Sequence, residues 1–253
     1  MRGDADIAKI GALVADPARA RILLALGDGR ALPASVLADE AGVAASTASA
    51  HLGKLVDGGL LTMQAHGRHR YFALAGEPVG ELIEALARLA PPAPVRSLRQ
   101  GTKAQALRAA RTCYDHLAGM LGTGLMAAMI DRDLLSGGDG LFHHSDADRD
   151  RLSAPGFDLD YRVTERGADT LHGFGIDFDE LAAQHRPLVR YCVDWSEQRH
   201  HLAGSLGAAM ADRMFELGWV SRRRDTRAVR VSDEGRDGLR ETFGLVLSET
   251  AAR

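Results

Sequence analysis

A phrase written twice limits how the second half of this chain can be built. HLAGMLG occupies residues 116–122 and HLAGSLG occupies 201–207. The likeness is wider than these heptapeptides. RTCYDHLAGMLG (111–122) matches RYCVDWSEQRHHLAGSLG (190–207); both begin Arg-x-Cys-x-Asp, and the second carries an insertion before HLAG. Further on, YRVTERGADTLHGFGI (161–176) matches VRVSDEGRDGLRETFGL (229–245). Each of these reads as a strand entering a capped helix, Thr164 with Gly167 and Ser232 with Gly235. Residues 101–253 are therefore expected to form two copies of one unit, about 101–178 and 179–253, packed about a local twofold. Each copy is expected to hold a helix, the HLAG turn, a second helix, strand material and a closing helix. Gly119 and Gly204 are then turn or close-packing glycines. The second copy has a clear hairpin, GWVSRRRDTRAVRVS (218–232); the first has an irregular acidic stretch at 136–156, expected to be a flexible loop.

The first third reads differently. Ile7 to Ala15 is apolar at helical spacing. Pro17 opens a second helix, PARARILLALGDG, which the Gly-Asp-Gly turn stops. Pro33 opens a third, PASVLADEAG, closed by Gly42, and Ser46 is expected to cap a fourth, STASAHLGKLVDGG, ended by Gly58 and Gly59. LLTMQAHGRHRYFAL alternates about His66-Gly67 as a β-hairpin does. Helix, turn, helix and hairpin is the order of a winged helix-turn-helix. A further amphipathic helix, EPVGELIEALARLA, ends at the PPAP of residues 91–94. The expected organisation is a winged helix-turn-helix for DNA binding and dimerisation over 1–90, a linker over 91–100 and the pseudo-repeat domain over 101–253. The fold class is mainly α with small β-hairpins (α+β), the second domain being two winged-helix-like repeats.

Bulk properties narrow the class. A net charge of −3 excludes a polybasic coat but leaves room for a local basic face. Two cysteines, Cys113 and Cys192, exclude a disulfide-rich secreted scaffold. The segment MRGDADIAKIGALVAD has acids where a signal peptide needs a basic start, and no run approaches the ~20 apolar residues of a membrane helix. A cytoplasmic protein without a membrane partner is expected.

In a helix-turn-helix the second helix enters the major groove, and side chains near its N-terminus touch base edges. Here these are Ser46, Thr47, Ser49 and His51, with Lys54 a turn further on, nearer phosphate. The wing tip offers Arg68, His69 and Arg70 to phosphate or to an adjacent minor groove. Residues 5–90 resemble the ArsR/SmtB family of bacterial winged-helix repressors. DPARARILLAL, ASVLADEAGVAASTASAHLGKLVDGGLL and HGRHRYFAL carry the resemblance. It implies a homodimer joined through the first and last helices, a double-stranded, pseudo-palindromic DNA operator, and repression relieved by an inducer.

Many members of that family sense metals, and this chain departs from their pattern. The first helix of the pair, PASVLADEAG, holds neither Cys nor His; EPVGELIEALARLA has Glu81 and Glu84 but no His. Neither family metal site carries over. The second half has its own candidate effector or metal residues: Cys113, Asp115 and His116 in one copy, and Cys192, Asp194, His200 and His201 in the other. Cys113 and His116 are expected to share one helix face, and facing copies would bring together a Cys₂His₂ set for zinc or another thiophilic metal. The alternatives are buried structural cysteines, a thiol switch, or a small organic effector held by Tyr114, Tyr191, Trp195, Trp219 and the methionines. The second half is also readable as an interaction module alone. The sequence names no cofactor. Phosphate-binding Gly loops, a G-x-S-x-G elbow and H-E-x-x-H are absent, and no enzymatic activity is expected.

Overall fold

A computed structural model describes residues 4–67, 69–91, 94–95, 97–143, 159–223 and 226–247. Arg68 of the wing, Pro92, Ala93 and Arg96 of the expected linker, residues 144–158, which include His144 and the end of the acidic stretch, and Arg224 of the expected hairpin at 218–232 lie outside them. The chain divides into two compact units, residues 1–84 with 225–227, and residues 85–224 with 228–253.

The first unit runs α1 (Ile7–Val14), α2 (Pro17–Ala25), β1 (Leu32–Pro33), α3 (Ala34–Ala41), α4 (Ala45–Asp57), β2 (Leu61–His66) and β3 (His69–Leu74), and then enters α5 (Glu77–Leu89). Asp16 starts α2 by accepting from the backbone N–H groups of Ala18 and Arg19, and Pro17 sits where no donor is needed. Arg19 is buried and donates to the Ala12 and Leu13 carbonyls, which satisfies the C-terminal end of α1. Gly42 closes α3 and a short turn leads into α4. Ser46 does not cap α4. The helix begins at Ala45, two residues before a Ser46 cap would start it, because extended Ala44 sets the entry and its carbonyl already accepts from Ala48 N–H. The sheet is antiparallel in the order β1-β3-β2, and His66 pairs with His69 to close the hairpin around Gly67. Ile22, Leu23, Leu26, Leu37, Leu52 and Leu55 are fully buried beneath it, each stabilising the fold by about 1.5–3 kcal/mol.

The second unit contains α6 (Leu98–Ala109) and then the repeat. Its first copy is β4 (Arg111–Cys113), β5 (His116–Ala118), α7 (Gly119–Asp131), β6 (Leu135–Ser136), β7 (Arg162–Val163) and α8 (Glu165–Phe174). A short α9 (Phe178–Ala182) leads to the second copy: β8 (Arg190–Val193), β9 (His200–Ala203), α10 (Gly204–Glu216), β10 (Val220–Arg222), β11 (Val229–Val231) and α11 (Asp233–Gly238), which runs into a π-helical turn at Leu239–Phe243. Each copy is thus a hairpin, a long helix, a second strand pair and a closing helix. Thr164 and Ser232 cap those closing helices by accepting from Gly167 N–H at 2.9 Å and Gly235 N–H at 3.0 Å.

One expectation is corrected here. Arg-x-Cys-x-Asp and His-Leu-Ala are the two strands of a hairpin in each copy, not parts of a helix. Cys113 therefore faces His116 across a β-ladder, as Cys192 faces His201. The i, i+3 spacing suits a helix turn equally well; what decides is the tight reversal at Tyr114, whose φ of 56° no helix accommodates. The strands are three or four residues long and mix polar with apolar side chains, so they have no period of their own to reveal them.

The local twofold is visible in reciprocal contacts. A Cβ on Gly122 would meet the Leu117 carbonyl at 2.3 Å and the His201 Cβ at 3.4 Å; one on Gly207 would meet the Leu202 carbonyl at 2.7 Å and the His116 Cβ at 3.3 Å. Arg132, at the end of α7, donates to the Thr242 carbonyl of the second copy, and Arg213 of α10 donates to the Phe174 carbonyl of the first. The core joins both copies: Leu121, Leu125 and Met129 of α7 pack in one cluster with Leu206, Met210 and Met214 of α10 and with Leu171, Phe174, Leu239 and Phe243. Met126 and Tyr191 are buried in an adjoining cluster and Trp219 packs against the main one, so the residues considered for an organic effector largely fill the core.

HLAG recurs because one strand-to-helix junction recurs. Gly119 and Gly204 have φ of 72° and 79°, and a Cβ at these positions would lie 2.6 Å from the Arg108 carbonyl and 2.8 Å from the Pro187 carbonyl. Gly119→Ala is expected to cost at least about 2 kcal/mol in urea unfolding, through strain plus backbone collision. Gly173→Ala, in a helix with open space around it, is expected to stabilise by about 0.5–1 kcal/mol in the same assay.

Candidate functional site

Two constellations matter, one in each unit. In the first, α4 carries a continuous exposed polar face at its start: Ser46, Thr47 and Ser49 are exposed, with Lys54 exposed further along. Ala48, Leu52 and Leu55 turn inward and hold the helix on the core, which fixes the outward direction of the others. Ser49 donates to the Ala45 carbonyl at 2.9 Å, leaving its oxygen lone pairs outward. His51 is half-buried instead. Its Nδ1 lies 3.5 Å from Arg19 Nη1 and 3.7 Å from Asp16 Oδ1, so the ring faces the start of α2. His69 and Arg70 are exposed on the wing beside His66. Within the 218–232 stretch, Arg227 is buried in the first unit, in an ion pair with Glu84.

In the second unit, the two hairpins bring Cys113, His116, Cys192 and His201 together. One potential ligand atom from each lies within 4.8 Å of every other. The two imidazole rings face each other with centroids 5.1 Å apart. His116 and His201 are buried, and the Nε2 atoms of both make no hydrogen bond of ordinary geometry. A carboxylate stands behind each ring: Asp115 Oδ1 at 3.0 Å from His116 Nδ1, and Asp194 Oδ2 at 3.6 Å from His201 Nδ1. Asp115 is held in turn by Arg186 at 2.5 Å. Burial disfavours a charged His116, but the Cys113 sulfur and Asp115 outweigh it and push the ring up to about 10. His200, the neighbour of His201 on β9, points elsewhere: its Nδ1 lies 2.8 Å from the Tyr161 hydroxyl, and its ring packs on Tyr191.

A family described as a helix-turn-helix domain matches residues 14–64. The uncharacterized HTH-type transcriptional regulator YdfF of Bacillus subtilis is 39% identical over 231 residues, covering 91% of this chain and 94% of that protein. The chain belongs to the HTH-type transcriptional regulators. The relationship runs through both units, since it extends well beyond the helix-turn-helix. HTH-type transcriptional regulator CmtR of Mycobacterium bovis is 39% identical over 82 residues, 31% of this chain and 69% of that protein. Among solved structures, the homodimeric winged helix-turn-helix domain of a possible ArsR-family regulator from Mycobacterium bovis is 32% identical over 35% of this chain and 88% of its own, with a TM-score of 0.30. The cadmium metal-sensor CmtR from Mycobacterium tuberculosis is 34% identical over 36% and 99%, with a TM-score of 0.27. No helix among the described residues is long and apolar enough to cross a membrane.

One group in the regulator is not apparent from the sequence. Arg111 and Asp194, the first and last residues of the repeated Arg-x-Cys-x-Asp, come from different copies and form a fully buried ion pair at 2.8 Å. Asp194 also accepts from Gly119 N–H at 2.7 Å, from Ser196 N–H and hydroxyl at 2.9 and 2.7 Å, and from Glu197 N–H at 3.1 Å. Trp195 lies against the Arg111 guanidinium, 4.6 Å from its ring centroid. Burial alone would raise the Asp194 pKa; Arg111, His201 and the donated hydrogen bonds hold it far below the usual carboxylate range. The signal is present in the repeated Arg and Asp, but only the pairing of copies shows that they meet crosswise. Asp194→Asn leaves Arg111 charged, buried and short of its counter-ion. Its expected cost is about 3–5 kcal/mol in chemical unfolding, with loss of cooperative melting of the second unit by near-UV circular dichroism.

Proposed function

We propose that this regulator is a homodimeric repressor that reads a double-stranded operator through α4 and the wing, and that a signal received by the second unit releases it. The observation that carries the DNA-reading part is the exposed Ser46-Thr47-x-Ser49 face at the start of α4 with Lys54 beyond it. Short hydroxyls suit base edges and phosphate, whereas Lys54, Arg70 and His69 suit phosphate. Arg68 belongs to the same proposed contact set by its place in the sequence. His51 takes a supporting part, since its contacts with Arg19 and Asp16 leave it to orient α4 against α2. A place in the cytoplasm beside the DNA follows from this reading.

Dimerisation is supported by α1. Its sequence is IAKIGALV, yet none of its residues is buried and Ile7 is 78% exposed. An apolar helix left uncovered in one chain fits a helix of a second copy, as the family resemblance implies. Ile7→Lys together with Ile10→Lys is expected to shift the solution mass from dimer to monomer in light scattering; an unchanged mass would remove α1 from the interface.

The reading is tested by fluorescence anisotropy of a duplex from the gene's upstream region against a scrambled duplex. Thr47→Ala is expected to lose about 1–3 kcal/mol of preference for the native duplex. Lys54→Ala with Arg70→Ala is expected to weaken both duplexes alike and to reduce the salt slope by about 1 for each phosphate no longer neutralised. Equal binding of native and scrambled duplexes would overturn sequence-specific recognition.

A further inference from the structure

The Cys and His side chains of the second unit are arranged as donors, and their surroundings say for what. We propose that Cys113, His116, Cys192 and His201 form a closed four-coordinate site for one thiophilic divalent cation of the zinc group, with two ligands from each copy of the repeat. This inference concerns the second unit alone and does not depend on the DNA-binding reading.

The donor set fits. Two thiolates and two imidazoles are a zinc ligand set, and a tetrahedron built on Zn–S near 2.3 Å and Zn–N near 2.0 Å separates ligands by roughly 3.3–3.8 Å. The four ligand atoms already lie within 4.8 Å of one another, so a contraction of about 1 Å completes the tetrahedron. Each His Nε2 is buried without an ordinary hydrogen bond. A buried polar atom left unsatisfied is costly, and coordination removes that cost. A carboxylate is also where a metal site needs one. Asp115, 3.0 Å from His116 Nδ1, favours the proton there and leaves Nε2 as the ligand atom; Asp194, 3.6 Å from His201 Nδ1, stands beyond hydrogen-bond distance and leaves either nitrogen of that ring available.

A disulfide between Cys113 and Cys192 is the competing use of the sulfurs. It would leave both buried imidazole Nε2 atoms without a partner, so the metal explains more of the arrangement. The hairpins also explain the spacing: Cys and His are register partners in each copy, and the local twofold turns one Cys-His pair toward the other. The cation would cross-link the two copies at their seam, each thiol giving up its proton on binding. Nothing in this set overlaps the places where the ArsR/SmtB resemblance would put a metal.

The test uses the full-length protein, reduced and stripped of metal, titrated with cobalt(II) and then zinc(II). One equivalent of cobalt per chain is expected to give the sulfur-to-metal charge-transfer absorbance and the intense d–d bands of tetrahedral cobalt, and zinc is expected to abolish both. Cys113→Ser and Cys192→Ser should each lose the charge-transfer intensity. Asp115→Asn should keep the tetrahedral spectrum but weaken zinc about 10–100-fold in competition with a chromophoric chelator. Weak six-coordinate cobalt spectra in the unsubstituted protein, or unchanged spectra in both serine variants, would overturn the site. Should the variants fail to fold, alkylation of the unsubstituted protein decides: zinc is expected to protect Cys113 and Cys192 together, and equal labelling with and without zinc counts against the proposal.

Discussion

The buried pair of Arg111 and Asp194 is the contact on which the second unit turns. It joins the first strand of one copy to the end of the corresponding strand in the other, and neither side chain is exposed to water. Such a pair is held the better the more of its remaining hydrogen-bonding capacity is filled. Here Asp194 takes the backbone N–H of Gly119 and three donors from its own loop, so the strand-to-helix junction of the first copy is anchored to the loop of the second. The left-handed glycine at that junction lets the backbone come close enough to donate. The seam, the HLAG turn and the placement of the Cys-His pairs are thereby linked: disturbing Asp194 disturbs all of them.

Symmetry in this unit is approximate, and its departures are informative. Gly122 and Gly207 make reciprocal approaches, as do the arginines that reach from one copy to the closing helix of the other. The two Asp residues of the repeated motif differ. Asp194 is sealed inside by Arg111, whereas Asp115 is part-exposed and held by Arg186. One motif thus supplies a rigid anchor on one side and a more accessible carboxylate on the other, while both stand behind a histidine.

The first unit was largely legible because its signals are local. Asp16-Pro17 begins a helix, Gly42 and Gly58-Gly59 end two more, and His66-Gly67 turns a hairpin; each depends on backbone preferences within a few residues. Ser46 misled because a hydroxyl near a helix start is compatible with both the capping position and the first turn, and the path of Ala44 chose between them. His51 differs from its neighbours on α4 for a related reason. Helical spacing puts it near the exposed face, but the neighbouring α2 offers Asp16 and Arg19, and the ring turns to them.

By itself the sequence determined that the second half is a duplicated unit, that its junctions need glycine, that its closing helices start at Thr164 and Ser232, and that the first third has the order and the residues of an ArsR-like winged helix. Those features are written in repetition, in capping chemistry and in turn residues. Tertiary structure alone decided that the repeated Arg-x-Cys and HLA segments are paired strands, that Arg111 finds Asp194 across the seam, that His200 turns to Tyr161 while His201 turns to the cysteines, and that Met126, Met129, Met210 and Met214 are buried in the core. The reason is physical. Short buried strands carry no periodicity, and the partner of a buried charge is set by which chain segments the core brings together, not by their distance along the sequence.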